Sequence, residues 1–369
     1  MPNRDWSHLL DIPAFPAERY AMLADRLALV MGTKNDVLLI QAEAVVALEA
    51  VATSLVRPGL CALNIVTSPY GTWFGHWLQR GGADVTNLSA EPGHPITAQA
   101  VQAQLDANPD IAALALVHAE SASGILNPLE EIVALAKSRG ILTIVDAVAS
   151  VGGHPLDVDD LGIDIAVIGP QKSLAGPAGL SAISVSSKAW TLLDHAAAPR
   201  TSILSLMDQR EQWLDTGRGT IPGTPAPLEF FALQSALDRI EAEGMDNVLR
   251  RHDLAKRATR AGLAALGAQL WAQEPSASAL VTTAVLPPDI DRDAFLSRRT
   301  IAGADITAGV GPGTERLVRL NHTGQRANEE SVLANLTAFS RALEAAGQAA
   351  DLDQALRAAV QSYRSYGSF

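Results

Sequence analysis

Two residues suited to covalent amine chemistry stand at the ends of two short apolar runs. Residues 141–145 (ILTIV) end at Asp146, and residues 163–168 end in Gly169-Pro170-Gln171-Lys172. Short β-branched runs bounded by turn residues read as buried parallel strands, which carry ligand sites at their carboxyl ends. A lysine held among apolar strands is desolvated, so its pKa falls and its amine can attack a carbonyl. A nearby carboxylate can keep a pyridine nitrogen protonated, and the protonated ring then draws electrons from a Schiff base at its aldehyde. Lys172 is therefore the candidate Schiff-base former and proton carrier, and Asp146 the candidate partner of a ring nitrogen. Val148 follows Asp146 by the strand period and is a candidate to lie against the ring face. Taken singly, each has a plainer reading: a strand-end Asp capping a turn, and a surface Lys.

The elements that must position this pair alternate along the chain. Residues 17–30 have helical spacing, and residues 36–40 (DVLLI) read as a strand leading into a helix over 41–56. Strands follow at 62–66, 84–88, 112–117 and 181–185, with helices at 71–80, 97–107 and 128–138. Repeated βα units with short loops give a mostly parallel sheet with helices on both faces. A helical region over 228–266 follows, and then strands near 280–285 and 317–320, a helix over 328–345 and a helical tail over 351–363. The expected organisation is an irregular amino-terminal arm (1–16), a large domain (17–243) and a small α/β domain (244–369).

Composition sets limits. A chain of 369 residues with 48% hydrophobic content has ample core for two such domains. A net charge of −12 without a basic stripe argues against nucleic acid as a partner. Cys61 is the only cysteine, which excludes an internal disulfide and fits a reducing compartment. No apolar run suits a membrane span, residues 1–5 do not read as a signal peptide, and the eight His show no metal-ligand spacing. The expectation is a cytoplasmic protein acting on small molecules, with no metal.

The text "IVDAVASVGG" followed by "DIAVIGPQKSLAGPAGLSAISVS" resembles the class V aminotransferases of fold type I, in the alanine–glyoxylate and serine–pyruvate branch. Pro170 and Ala147 stand where serines are usual. The resemblance runs from about residue 37 to about residue 324. It implies a fold type I enzyme with a mostly parallel seven-stranded sheet flanked by helices, plus a smaller carboxyl-terminal α/β domain. It also implies a homodimer or homotetramer with the active site at the subunit interface, and an amino-terminal segment that crosses to the partner.

The same resemblance assigns further residues. An aromatic from "SPYGTWFG" stacks on the ring, which leaves Tyr70, Trp73 and Phe74 as candidates. Ser121, in "HAESASG", is placed near the ring hydroxyl. Gln171 keeps the amide next to the lysine. Arg319, in "RLVRLNHTG", matches the arginine that holds the amino or oxo acid carboxylate, a task suited to a planar guanidinium.

The phosphate cup departs from the family. Its usual S-G-S-G-[HT] is replaced by Gln41-Ala42-Glu43-Ala44-Val45, which loses both glycines and gains an acid. The partner-derived Y-x-x-T-P aligns with Ile221-Pro222-Gly223-Thr224-Pro225, where only Thr224 persists as a donor. A phosphate about 4 Å from the Glu43 carboxylate would cost about 4 kcal/mol per unit of charge at an effective dielectric of ~20. A hydroxymethyl group would instead donate a hydrogen bond to it. A plainer reading leaves Glu43 as an acid in a helix first turn.

An aminotransferase with this loop resembles the pyridoxamine–pyruvate branch, which treats free pyridoxamine and pyridoxal as substrates. That resemblance implies transfer of an amino group between pyridoxamine and pyruvate in vitamin B6 breakdown, with no tightly bound cofactor. The alternative is an alanine–glyoxylate or serine–pyruvate type enzyme that uses pyridoxal 5′-phosphate at a weakened phosphate site. An arginine expected upstream of Arg319 falls at about Val310, which bears on the choice of oxo acid.

Overall fold

The computed structural model describes residues 7–9, 11–298 and 301–366. Residues 1–6 and 10 of the expected arm and residues 367–369 of the expected small domain lie outside the described residues. Seven strands form the main sheet: β1 (Asp36–Ile40), β2 (Cys61–Val66), β3 (Asp84–Ser89), β4 (Ala113–Val117), β5 (Leu142–Asp146), β6 (Ile165–Ile168) and β7 (Ser181–Val185). Their order is β1-β7-β6-β5-β4-β2-β3, and only β7 runs against its neighbours. The expected mostly parallel seven-stranded sheet is therefore found. β4 and β6 are buried at every position, as strands covered by helices on both faces must be.

The covering helices are α1 (Glu18–Met31), α2 (Ala44–Leu55), α3 (Pro69–Arg80), α4 (Ala98–Ala107), α5 (Leu129–Ser138), α6 (Val158–Leu161), α7 (Ser187–Leu193), α8 (Leu206–Gln209) and α9 (Pro227–Glu243). Their starts are chemically marked. Ser68 caps α3 by accepting from the Tyr70 N–H, with Pro69 at the first helical position. Thr97 caps α4, and Glu43 caps α2. Short elements at 158–161, 187–193 and 206–214 go beyond the sequence reading, because runs of four to seven residues carry little periodicity.

The helical region expected over 228–266 is two helices. Gly244 adopts φ +81°, which separates α9 from α10 (Met245–Ala265). A four-stranded antiparallel sheet follows, ordered β10-β11-β9-β8, from β8 (Gln269–Leu270), β9 (Val281–Val285), β10 (Ile306–Ala308) and β11 (Leu317–Asn321). Helices α11 (Arg292–Ser297), α12 (Glu329–Ala345) and α13 (Leu352–Tyr366) complete this part. Each sheet has its own core. Trp213 and Phe230 lie in the first, and Phe295 packs on Phe339 in the second. Val248 belongs to the first core and Ala255 to the second, so α10 joins them.

The end of the amino-terminal arm is anchored within its own chain. Phe15 is buried against Tyr20, Phe230 and Phe231 at ring separations of 5.0–5.5 Å.

Asp164 fixes the starts of the two site-bearing strands. Its carboxylate accepts from the Thr143 N–H (3.0 Å), the Ser186 hydroxyl (3.2 Å) and the Lys188 amine (3.0 Å). Its own N–H donates to the Thr143 hydroxyl. Asp164→Ala is expected to destabilise the fold by about 2–4 kcal/mol, since it orphans a buried N–H and a lysine contact. Urea unfolding checks this; a loss under ~0.5 kcal/mol would contradict it.

Candidate active site

Parallel pairing of β5 with β6 sets Asp146 opposite Val167, so both strand ends open on the same rim. Beyond β6 the chain turns tightly: the Gly176 N–H donates to Pro170 O at 2.7 Å and the Ala175 N–H to Lys172 O at 3.0 Å. Gly324 approaches the Lys172 carbonyl so closely that a Cβ there would sit 2.7 Å from it. The lysine backbone is thus fixed between the two domains.

Lys172 Nζ donates to Ser121 Oγ at 3.0 Å and lies 5.3 Å from the centre of the Tyr70 ring. Among the described residues it makes no ion pair. Burial pulls its pKa below the usual ammonium range, against the fields of Asp146, Glu120 and Glu43. Burial likewise raises the Asp146 carboxyl, which Lys172 opposes, and Asp146 accepts from the Val148 N–H at 3.0 Å. Val148 itself is buried beside it. Such opposed shifts in one cleft are the mark of a proton-transfer site.

The three candidate aromatics separate. Tyr70 lines a narrow gap with Asp146, Ile144, Val117 and Phe74, which leaves about 10 Å³ of free space. Phe74 is buried in the main core behind it. Trp73 is 46% exposed and meets Tyr70 edge-on at 5.5 Å. Only Tyr70 of the three has a recorded contact with the lysine amine.

Arg319 comes from β11 of the small domain. Its Nη1 donates to Ser121 O at 2.7 Å, while its buried Nε has no partner. It makes no ion pair among the described residues, and burial lowers its pKa. Ser121 therefore meets the amine through its hydroxyl and the guanidinium through its carbonyl. A half-buried guanidinium without a carboxylate is a receptor for one.

At the other end of the cleft, α2 points its amino end toward Gln171. Glu43 Oε2 accepts from the Val45 N–H at 2.8 Å, and Oε1 accepts from Gln171 Nε2 at 2.7 Å. The plainer role, a helix cap, is thus filled by one carboxylate oxygen. Thr224 is exposed on a segment held by its own chain: Gln41 donates to Pro222 O and accepts from the Ala226 N–H, each at 2.9 Å.

The sequence does not single out Glu120, although an acid three residues after the apolar β4 is a signal. It is fully buried next to Ser121, receives the Thr67 hydroxyl, and leaves Oε2 unpartnered. Burial raises its pKa to about 7, against hydrogen bonds from Ser68 and Thr67. The folded pKa lies above the unfolded value of about 4.5, so folding favours the protonated form. That stability is complete below about pH 4.5 and is lost as pH rises through about 7. Relative to Glu120→Gln, the parent is expected to lose on the order of 3 kcal/mol between pH 4.5 and 8. Thermal melts of both proteins across that range test it; a constant gap would contradict a buried neutral Glu120.

The lysine, the facing carboxylate and the aromatic cover suit a pyridoxal ring. At the phosphate end, α2 and Gln171 remain as donors, with Glu43 already taking one N–H. The aminotransferase class-V family model matches residues 20–309. Pyridoxamine–pyruvate transaminase of Mesorhizobium japonicum is 35% identical over 351 residues, covering 94% of this chain and 88% of that protein. Alanine–glyoxylate aminotransferase of Callithrix jacchus is 32% identical over 322 residues, covering 85% and 77%. The crystal structure of pyridoxamine–pyruvate aminotransferase from Mesorhizobium loti superimposes with a TM-score of 0.89 at 31% identity, covering 95% of this chain and 90% of that one. Class V aminotransferases depend on pyridoxal 5′-phosphate, so the expectation of no tightly bound cofactor is corrected by this membership. The altered cup suggested otherwise because it was read by its lost glycines, whereas cofactor dependence belongs to the whole lysine-centred site. The chain belongs to the class V aminotransferases, enzymes of fold type I.

Proposed function

We propose that this aminotransferase moves an amino group between pyridoxamine and pyruvate, giving pyridoxal and L-alanine, as a step in vitamin B6 degradation. One observation carries the reading: the Glu43 carboxylate stands at the α2 amino end and is held there by Val45 and Gln171. By family resemblance this end receives the 5′ substituent, and a carboxylate there favours a hydroxyl donor. The similarity to the transaminase of Mesorhizobium japonicum over 94% of the chain supports the same substrates.

The residues divide the work. Lys172, whose pKa burial lowers, takes and returns the proton at the amine-bearing carbon. Asp146 holds the ring nitrogen, Val148 and Tyr70 cover the ring faces, and Ser121 orients the lysine amine. Arg319, whose Nε has no partner in the chain, grips the carboxylate of the oxo or amino acid. A pyridine ring bound there supplies an electron sink. Trp73 and Phe74 support Tyr70 from outside and behind. We read the assembly as a cytoplasmic homodimer or homotetramer; Leu29 and Ile203, about four-fifths exposed, offer apolar surface for it.

A second reading is supported by Gln171, Thr224 and the remaining α2 N–H groups, which are phosphate donors. It is an alanine–glyoxylate type enzyme working with pyridoxal 5′-phosphate, in keeping with the 32% identical relative.

Formation of pyridoxal and alanine from pyridoxamine and pyruvate is the direct test. Lys172→Ala should abolish it. Arg319→Ala should raise the KM for pyruvate by about 30- to 1000-fold, the ~2–4 kcal/mol of a lost charge-assisted contact, while pyridoxamine binding changes little. An equal loss for both substrates would point to a folding role instead.

Glu43→Gly is expected to weaken pyridoxal by ~1.5–3 kcal/mol and to strengthen pyridoxal 5′-phosphate relative to the parent. Dissociation constants for the two ligands in both proteins decide it. If the parent already binds pyridoxal 5′-phosphate more tightly than pyridoxal, Glu43 does not repel the ester and the second reading stands.

A further inference from the structure

A separate cavity of about 280 Å³ opens between the start of α3 and the loop over 310–314. One wall is the loop that serves the active site. Ser121 meets Lys172 and Arg319, Ala122 O accepts from the Val310 N–H at 3.4 Å, and Ser123 O accepts from the Thr283 hydroxyl at 2.7 Å. Ser123 and Val310 line the cavity, together with Ile125, Trp271, Pro92 and Thr72. Ser121 and Ser123 lie in one tight turn, closed by the Gly124 N–H donating to Glu120 O at 2.8 Å.

The lining has a definite chemistry. It is largely apolar, and Glu91 is its one charged residue. Val310 is 49% exposed at the rim, an apolar surface with nothing of the chain over it. The Ser123 hydroxyl and the Trp271 indole N–H are both buried without a partner. The rim is built for close approach: Gly311, at φ +115°, comes so near Pro69 at the start of α3 that a Cβ would stand 3.2 Å from its ring. The loop over 309–314 therefore rests on the large domain and brings Val310 to the opening.

We propose that this cavity is the side-chain subsite of the reacting oxo or amino acid, and that the enzyme accepts uncharged side chains larger than the methyl of pyruvate. This rests on the amino-transfer reading above. An acid held by Arg319 and Lys172 must send its side chain away from both, and the Ser121–Ser123 strip leads into this space. At ~30 Å³ for a water or a similar small group, pyruvate's methyl would fill about a tenth of it. A leucine- or methionine-sized side chain fits. Glu91 and the absence of any cation in the lining disfavour acidic side chains.

The test measures kcat/KM with pyridoxamine for pyruvate, 4-methyl-2-oxopentanoate, 4-methylthio-2-oxobutanoate and 2-oxoglutarate. The two larger neutral acids should equal or exceed pyruvate, and 2-oxoglutarate should fall at least 100-fold below them. Val310→Trp and Thr72→Phe fill the cavity from opposite walls. Each should lower kcat/KM for the larger neutral acids at least tenfold more than for pyruvate, which a general loss of folding would not do. Turnover of pyruvate alone, or an equal loss for all acids in both variants, overturns the subsite and leaves the amino-transfer reading in place. No transfer to any acid overturns both.

Discussion

The structure depends on keeping one amine out of water without giving it a counterion. Lys172 has a hydroxyl partner in Ser121 and an aromatic neighbour in Tyr70, while the nearest acids act on it only through space. A direct ion pair would have fixed the ammonium and removed the nucleophile. Burial alone would have cost more than the fold could offset. The observed compromise leaves Asp146 across the gap, close enough to influence the proton.

That arrangement explains the topology around it. β5 and β6 must be adjacent and parallel so that their ends deliver a carboxylate and an amine to one rim. Asp164 ties the far ends of the same strands, so the register that matters at the rim is fixed at the opposite edge. The loop over 120–124 then links the amine to the small domain, because Ser121 meets Arg319 and Ser123 meets Thr283. Glu120 sits beneath this loop with a raised pKa, so the charge state of the loop's floor varies near neutral pH.

Much of this was legible in the sequence. Apolar runs bounded by turn residues located the strands of the main sheet to within about two residues, since covered parallel strands need continuous apolar text. Lys172, Asp146 and Arg319 were identified by residue type together with motif. Other features were hidden for physical reasons. The two-residue β8 and three-residue β10 are too short for periodicity to register. The choice among Tyr70, Trp73 and Phe74 turned on which helix face meets Asp146, which their close spacing did not resolve. Gln41 looked like part of a damaged phosphate cup, yet its amide braces the Pro222–Ala226 segment. That role joins residues far apart in sequence and leaves no local pattern.

Glu43 shows how one substitution can combine two functions. A helix amino end holds several unpaired N–H groups and a positive field, and an anion placed there is stabilised whether it is a ligand or a side chain. By capping α2 itself, Glu43 supplies that anion from the protein. One N–H that would otherwise serve a ligand's phosphate is thereby occupied, and the field is partly cancelled. The second carboxylate oxygen engages Gln171, the neighbour of the lysine. The helix end keeps its cap from within the chain, and the strands that hold Lys172 and Asp146 are not involved in it.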